Sequence, residues 1–381
     1  MPLVRSGWQD EGMRVVIAPD KFKGTLSSVE AAAAMGEGVL AVYPDAVVTA
    51  VPVADGGEGT LDAALTAGAQ PRTARVRGPL GRDVTAVWAL EGHTALIETA
   101  RASGLALLEP TPGTALDATS YGSGQLIGEA LDAGARTIIL GIGGSAMTDG
   151  GSGALAALGL KILDRDGVPV PPGGAGLMHA ASLDAAGLDP RLAEVDLRIA
   201  ADVTNPLLGR VGTVAVFSGQ KGAGPAEMPV LEAALTNWAE LLKSTTGVDV
   251  DVPGAGAAGG FPSGFLAFTG ASLNPGFELL SAFTGLDAAL TRCDLVLTGE
   301  GSLDEQSRYG KAPLAVAARA RDAGIPVVAV AGRITLTPDQ LEEYGIVAAV
   351  SLLDVVQRPQ DAMEQAAKYV AQATRQVLEG A

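Results

Sequence analysis

Short apolar runs, each ending in a glycine-rich polar turn, punctuate this chain. Val15-Val16-Ile17, Ala46–Val53, Thr137–Leu140, Leu197–Ala200, Asp294–Leu297, Pro326–Val330 and Val347–Val350 have the length and β-branched content of strands. Near-continuous runs of this kind suit strands buried on both faces, as in parallel sheets. Helical segments alternate with them. Ser27–Tyr43 is the first, with Ser27 or Ser28 as its cap and Glu30 in its first turn. Thr60–Ala67, Ala118–Ala133, Ala226–Lys243, Ala312–Ala323, Pro338–Tyr344 and Gln360–Leu378 follow. Between them, Thr73–Arg77, Asp83–Leu90 and Thr94–Thr99 are separated only by Gly78-Pro79-Leu80-Gly81 and Glu91-Gly92-His93, which is hairpin spacing. Thr213–Val216 reads as one more strand.

Regular βα alternation at both ends of the chain, with mixed texture between, predicts an α/β protein of two domains. Residues 1–70 and 281–381 together form a parallel sheet that right-handed crossovers make doubly wound. Residues 71–280 form an inserted mixed α/β domain with joints such as Pro171-Pro172-Gly173-Gly174 and Pro253–Gly260. Met1–Gly12 precedes the first strand and is read as a disordered extension or a start-site artefact.

Composition narrows the chemistry. A net charge of −17 with no basic tract argues against a nucleic-acid surface. With only 26 basic residues, any anion site must gather its positive charge locally, so Lys21, Lys23, Lys221 and Lys311 stand out. The single cysteine, Cys293, rules out an intramolecular disulfide and fits a reducing, cytoplasmic setting. No apolar run reaches the roughly 18 residues that span a bilayer. Nothing fixes the oligomeric state, which is left as monomer or homodimer.

The turns carry the candidate chemistry. Ala18-Pro19-Asp20-Lys21-Phe22-Lys23-Gly24-Thr25 puts a carboxylate and two cations at a strand's carboxyl end, where open α/β sheets bind ligands; a solvated strand end with an ion pair would leave the same residues. Asp55-Gly56-Gly57-Glu58-Gly59-Thr60 and Thr298-Gly299-Glu300-Gly301-Ser302-Leu303-Asp304-Glu305-Gln306 repeat the design. Gly141–Gly151, with Gly143, Gly144, Ser145, Thr148 and Asp149, suits a cradle of backbone N–H groups at a helix start, or else a tight turn. Asp202-Val203-Thr204-Asn205-Pro206 offers Asp202 and Asn205 as ligands for Mg²⁺ or nucleotide hydroxyls, and equally reads as an Asx-turn. No G-x-x-x-x-G-K-[ST] motif occurs, since Gly310-Lys311-Ala312 lacks the hydroxyl residue. His93 lies in a hairpin turn and His179 in a loop, so a carboxylate base or simple positioning is favoured over histidine.

Together these loops resemble the bacterial glycerate kinase family from about Met13 to the C-terminus. Asp202-x-x-Asn205-Pro206-Leu207 and Gln220-Lys221-Gly222-Ala223 match its motifs, as do Thr298-Gly-Glu-Gly, Asp304-x-Gln306 and Gly310-Lys311. The chain departs from the family pattern at Met147, Ser218 and Gly219. The resemblance implies a flavodoxin-like domain interrupted by a second one, with the active site in the cleft between, and an ATP- and Mg²⁺-dependent phosphorylation of D-glycerate at the 2-hydroxyl. On this reading Asp20, Lys21, Asp304 and Lys311 are catalytic, and Lys23, Asp55, Gly56, Glu58, Glu300 and Gln306 meet the substrate. Gly143, Gly144, Ser145, Thr148, Asp149, Asn205, Gln220 and Lys221 meet the nucleotide, and Asp202 the metal. The alternatives are phosphorylation at the 3-hydroxyl or of another short hydroxy acid, a nicotinamide-dependent oxidoreductase, and a non-catalytic anion-binding protein. The oxidoreductase is disfavoured because the 141–146 loop lacks the third spaced glycine of a dinucleotide fingerprint.

Overall fold

A computed structural model of the chain describes residues 12–54, 56–57, 59–308 and 312–380. Of the segments and residues singled out above, Met1–Glu11, Asp55, Glu58, Gly310 and Lys311 lie outside the described residues. The strands, in chain order, are β1 (Arg14–Ile17), β2 (Val47–Ala50), β3 (Gln70–Arg77), β4 (Asp83–Glu91), β5 (Thr94–Glu98), β6 (Thr137–Gly141), β7 (Lys161–Leu163) and β8 (Ser182–Asp184). They continue with β9 (Asp196–Ala200), β10 (Ser272–Asn274), β11 (Leu295–Thr298), β12 (Ser302–Leu303), β13 (Val327–Ala331), β14 (Arg333–Ile334) and β15 (Ile346–Ser351).

The chain divides into two compact units. One is Met1–Asp55, Asp62–Gly68 and Leu280–Ala381; the other is Gly56–Leu61 and Ala69–Leu279. In the first unit, β2, β1, β11, β13 and β15 lie side by side, every pair parallel. Numbered along this unit, the order is 2-1-3-4-5, the flavodoxin-type order. Strand order reverses between β1 and β11, and the crevice at such a reversal is where open α/β sheets place ligands. Helix α1 (Ser28–Val42) starts at Ser27, whose hydroxyl accepts from the Glu30 N–H while the Glu30 carboxylate accepts from the Ser27 N–H. This reciprocal cap satisfies two donors that a helix start leaves open. The buried Ala31, Met35 and Val39 of α1 join Ile17, Val328, Val330 and Val370 in one core.

The second unit holds a six-stranded sheet in the order β10-β9-β6-β5-β4-β3. The pairs β3/β4 and β4/β5 are antiparallel, and β5, β6, β9 and β10 run parallel. Its core is built on Trp88, Ile97, Leu140, Trp238, Phe261 and Phe265. Its helices include α3 (Ala100–Ser103), α4 (Pro112–Asp117), α5 (Tyr121–Asp132), α6 (Ser152–Ala157) and α7 (Glu227–Thr246), while of α2 (Thr60–Thr66) only Thr60 and Leu61 belong to it.

Three segments differ from the sequence expectation. Thr213–Val216 is not a strand: Val214–Ser218 forms a wide helical turn in which the Ser218 hydroxyl donates to the Val214 carbonyl at 2.6 Å. Thr213, Val214 and Ser218 are buried while Ala215 and Val216 are exposed, a helical rather than alternating pattern. The helix expected over Ala118–Ala133 starts at Tyr121, because Thr119 and Ser120 turn toward Asp149 instead. Gln360–Leu378 is two helices, Pro359–Glu364 and Ala366–Glu379, broken at Gln365 (φ −128°, ψ 39°). No helix among the described residues is long and apolar enough to cross a membrane.

Candidate active site

In the first unit the site residues sit where β1 and β11 release their chains. The two loops are stitched together: the Ala18 N–H donates to the Leu297 carbonyl at 2.8 Å, and the Asp20 N–H to the Gly299 carbonyl at 2.9 Å. The Thr298 hydroxyl donates to the Ala18 carbonyl at 2.8 Å. The segment after β2 joins them, with the Val53 N–H donating to the Pro19 carbonyl. Asp20 and Glu300 are buried, Lys21 and Asp304 half-buried and Lys23 exposed. Asp20 Oδ1 accepts from the Lys21 N–H at 2.7 Å, which turns the lysine backbone around the carboxylate. Glu300 Oε1 accepts from the Ser307 hydroxyl at 2.6 Å, and Asp304 Oδ2 from the Ser302 hydroxyl at 3.0 Å. Gln306 lies in the short helix Glu305–Arg308. This edge thus combines carboxylates with lysines, a set suited to an anionic substrate that also bears a hydroxyl.

In the second unit the carboxyl ends of three parallel strands fall in register, with Glu98 opposite Gly141 and Gly141 opposite Ala200. The loop after β6 bends back over this edge. The Ala146 N–H donates to the Ser103 carbonyl at 2.9 Å, and the Leu105 N–H to the Gly144 carbonyl at 2.8 Å. A β-carbon at Gly143 would stand 2.6 Å from Gly57 Cα, so glycine there permits the close approach of the two backbones. Gly144, at φ +70°, has no backbone of another segment within 4 Å of such a carbon.

Lys221 reaches this loop from the short helix Gly219–Lys221. Its ammonium is buried and donates to Ser145 Oγ at 3.1 Å and to the Met147 carbonyl at 2.5 Å. Burial pulls its pKa down to about 7, against the opposing field of the Asp149 carboxylate. The Thr148 hydroxyl is buried with no hydrogen-bond partner among the described residues. A buried cation thus reaches the loop that also carries a buried hydroxyl with no hydrogen-bond partner among the described residues. At position 147, where the family pattern has threonine, the backbone oxygen faces Lys221 and the methionine side chain is buried.

Several residues assigned to ligands from the sequence also make hydrogen bonds within the protein. Asp149 is fully buried, and its carboxylate accepts from the Ser120 N–H (2.7 Å), the Ser120 hydroxyl (2.8 Å), the Thr119 hydroxyl (3.3 Å) and the N–H groups of Gly151 (3.1 Å) and Gly153 (3.3 Å). Burial raises its pKa, while the bonds from Ser120, Gly151 and Gly153 pull the other way. The N–H groups of Gly151 and Gly153, at the start of α6, therefore point at Asp149. Asn205 donates to the Val211 carbonyl at 2.8 Å, closing its own loop. Asp202 Oδ1 accepts from the Gly276 N–H at 2.9 Å; Asp202 and Gln220 are exposed. Glu98 and Ser120, whose hydrogen bonds hold these loops, were not singled out from the sequence. Glu98 follows the apolar run Ala95-Leu96-Ile97, a usable signal, whereas nothing near Ser120 in sequence marks it.

These features define the chain as an α/β enzyme with carboxylate-, lysine- and glycine-bearing loops at the carboxyl edges of two parallel strand sets. It belongs to the glycerate kinase family, which it matches over residues 15–380. It is 44% identical over 370 residues to the glycerate 2-kinase of Escherichia coli (strain K12), an alignment covering 96% of this chain and 97% of that protein. It is 41% identical over 369 residues to the glycerate kinase of Bacillus subtilis (strain 168), covering 96% and 97%. A crystal structure from Salmonella typhimurium LT2, of a protein assigned as a glycerate kinase 2, superposes with a TM-score of 0.85 at 42% identity, covering 97% of this chain and 98% of that one.

Proposed function

We propose that this chain transfers the terminal phosphoryl group of ATP to the 2-hydroxyl of D-glycerate, giving 2-phosphoglycerate. The observation that carries the reading is family membership along nearly the whole chain, including a relative named glycerate 2-kinase. The two loop sets supply matching chemistry. Phosphoryl transfer asks a protein chiefly for positioning and charge neutralisation. In the second unit, Lys221, Ser145 and Thr148 receive donor phosphates, with Gly144, Asn205 and Gln220 around them and Asp149 and Gly143 shaping the loop. In the first unit, Lys21, Lys23 and Lys311 attract the glycerate carboxylate and the transferring phosphoryl group. Asp20 and Asp304 orient the attacking hydroxyl and accept its proton, and the other residues assigned to the acceptor are Glu300, Gln306, Asp55, Gly56 and Glu58.

Among the described residues no three His, Cys, Asp or Glu gather to hold a metal. That fits Mg²⁺ carried by the nucleotide phosphates with one or two carboxylates, its usual mode beside ATP. Asp202 is the carboxylate assigned to it, and the ion would neutralise charge on the phosphates. A kinase drawing on ATP and a small organic acid suits the cytoplasm and glyoxylate or sugar-acid catabolism.

ADP release measured with D-glycerate, L-glycerate, lactate and tartrate tests the substrate, with D-glycerate expected to be preferred. Lys21→Ala is expected to lower kcat/KM by at least about tenfold, about 1.4 kcal/mol of transition-state stabilisation. Its melting temperature should be unchanged, because the side chain is only half-buried. Full turnover in this variant would remove Lys21 from the mechanism.

A further inference from the structure

The sequence does not mark Ser307, yet its side chain joins Glu300 to Asp304 in the first unit. Ser307 is fully buried, at 0% exposure. A serine hydroxyl carries one proton and can also accept, and here it does both. The proton goes to Glu300 Oε1 at 2.6 Å, the short distance of a hydroxyl donating to a carboxylate, in preference to the Ser302 carbonyl at 3.2 Å. The oxygen accepts from the Asp304 N–H at 3.2 Å. In return the Ser307 N–H donates to the Asp304 carbonyl at 2.9 Å, within the turn that forms the short helix Glu305–Arg308. The Ser302 hydroxyl separately holds Asp304 Oδ2 at 3.0 Å. The backbone here has its own support. The N–H groups of Gly332, Arg333 and Thr335 donate to the carbonyls of Glu300 (3.0 Å), Gly301 (3.1 Å) and Leu303 (2.9 Å). Ser307 therefore bears on how the carboxylates are held more than on the course of the chain.

We infer that Ser307 is a positioning residue for the acceptor: one buried hydroxyl fixes Glu300 and Asp304 relative to each other, and so sets both carboxylates for the hydroxyl that attacks. The inference rests on the assignment of Glu300 and Asp304 to the acceptor. Burial keeps Ser307 from touching a substrate, so its effect passes through those two residues. Removing the hydroxyl takes a donor from the Glu300 carboxylate and an acceptor from the Asp304 N–H, while the bonds from Gly332, Arg333 and Thr335 keep the backbone in place. Lys221, Ser145 and Thr148, assigned to the donor phosphates, belong to the second unit and are expected to keep their hold on ATP.

The test is steady-state kinetics, with ATP binding measured separately by calorimetry and folding by thermal melt. Ser307→Ala is expected to lower kcat/KM for D-glycerate roughly ten- to a hundredfold, the usual consequence of slightly misplaced catalytic groups. Most of the loss should fall on kcat, because Asp304 acts on the hydroxyl as it attacks. ATP affinity should stay at the wild-type value. Ser307→Thr restores the hydroxyl and should recover most of the activity. Ser307→Cys fills the same space with a weak donor and should resemble Ser307→Ala, and it keeps the test open if Ser307→Ala folds poorly. Wild-type kinetics in Ser307→Ala or Ser307→Cys, ATP affinity falling in step with kcat/KM, or no recovery in a Ser307→Thr protein that melts like the wild type would each overturn the inference. Failure of the assignment beneath it would show separately, as D-glycerate kinetics unaffected by Glu300→Gln and Asp304→Asn, or as absence of D-glycerate turnover in the unaltered protein.

Discussion

Asp149→Ala is expected to destabilise the second unit by about 3–5 kcal/mol, the range for removing one member of a buried charged network. The carboxylate holds the start of α5 through Thr119 and Ser120 and the start of α6 through Gly151 and Gly153. Its loss leaves three backbone N–H groups without their acceptor, each costing about 1–3 kcal/mol where water does not replace it. At roughly 2–4 °C per kcal/mol for a unit of this size, the melting transition should fall by on the order of 10 °C. ATP binding would be lost with it, since the loop that bears Ser145 and Thr148 runs into Asp149. Asp149→Asn should be milder, because one amide oxygen still accepts. A thermal melt beside an ATP titration checks the assignment. An unchanged melt with abolished binding would make Asp149 a ligand contact instead of an anchor.

Lys221→Met is expected to weaken ATP binding by roughly thirtyfold, about 2 kcal/mol, the worth of a hydrogen bond to a charged group. Proton linkage gives a sharper signature. In the ligand-free fold the Lys221 pKa is near 7, below the value of about 10.5 in the unfolded chain. Between those values the unfolded chain holds a proton that the folded one lacks, so this group makes folding more favourable as pH rises through the window. A phosphate beside the amine reverses the preference by stabilising the ammonium. ATP binding at pH 8 should therefore take up close to one proton, uptake should vanish near pH 6, and affinity should weaken as pH rises above 7. Titration calorimetry in buffers of different ionisation enthalpy reads the uptake directly. Lys221→Met should abolish the uptake while folding normally, since methionine suits the apolar surroundings. Uptake unchanged in that variant would remove Lys221 from the phosphate site.

Much of the fold was legible because the strands of a parallel sheet advertise themselves. Val15–Ile17, Leu295–Leu297 and Val327–Val330 are apolar at every position because both faces are covered, and each sits in its sheet as read. The Ser27 cap was equally visible, since its partner lies three residues away. Thr213–Val216 misled because β-branched content is a weak guide, and burial here follows a helical period. The loops were recognisable as loops, but the work of single residues in them was not. Asp149 meets Ser120 across 29 positions, and Gly143 meets Gly57 across 86. From one segment, a carboxylate in a glycine-rich turn looks the same whether it faces a ligand or the protein interior. Lys221 shows the reverse case: the sequence marks it as a scarce cation, and only the fold reveals that it is buried without a counter-charge at bonding distance among the described residues.

The most direct test of the central claim is nuclear magnetic resonance of the product formed from ATP and D-glycerate with Mg²⁺. Transfer to the 2-hydroxyl predicts a single new phosphomonoester whose phosphorus couples to the one methine proton on C2, appearing in step with ADP. Coupling to the methylene protons on C3, or release of inorganic phosphate with no phosphoester, would contradict the account.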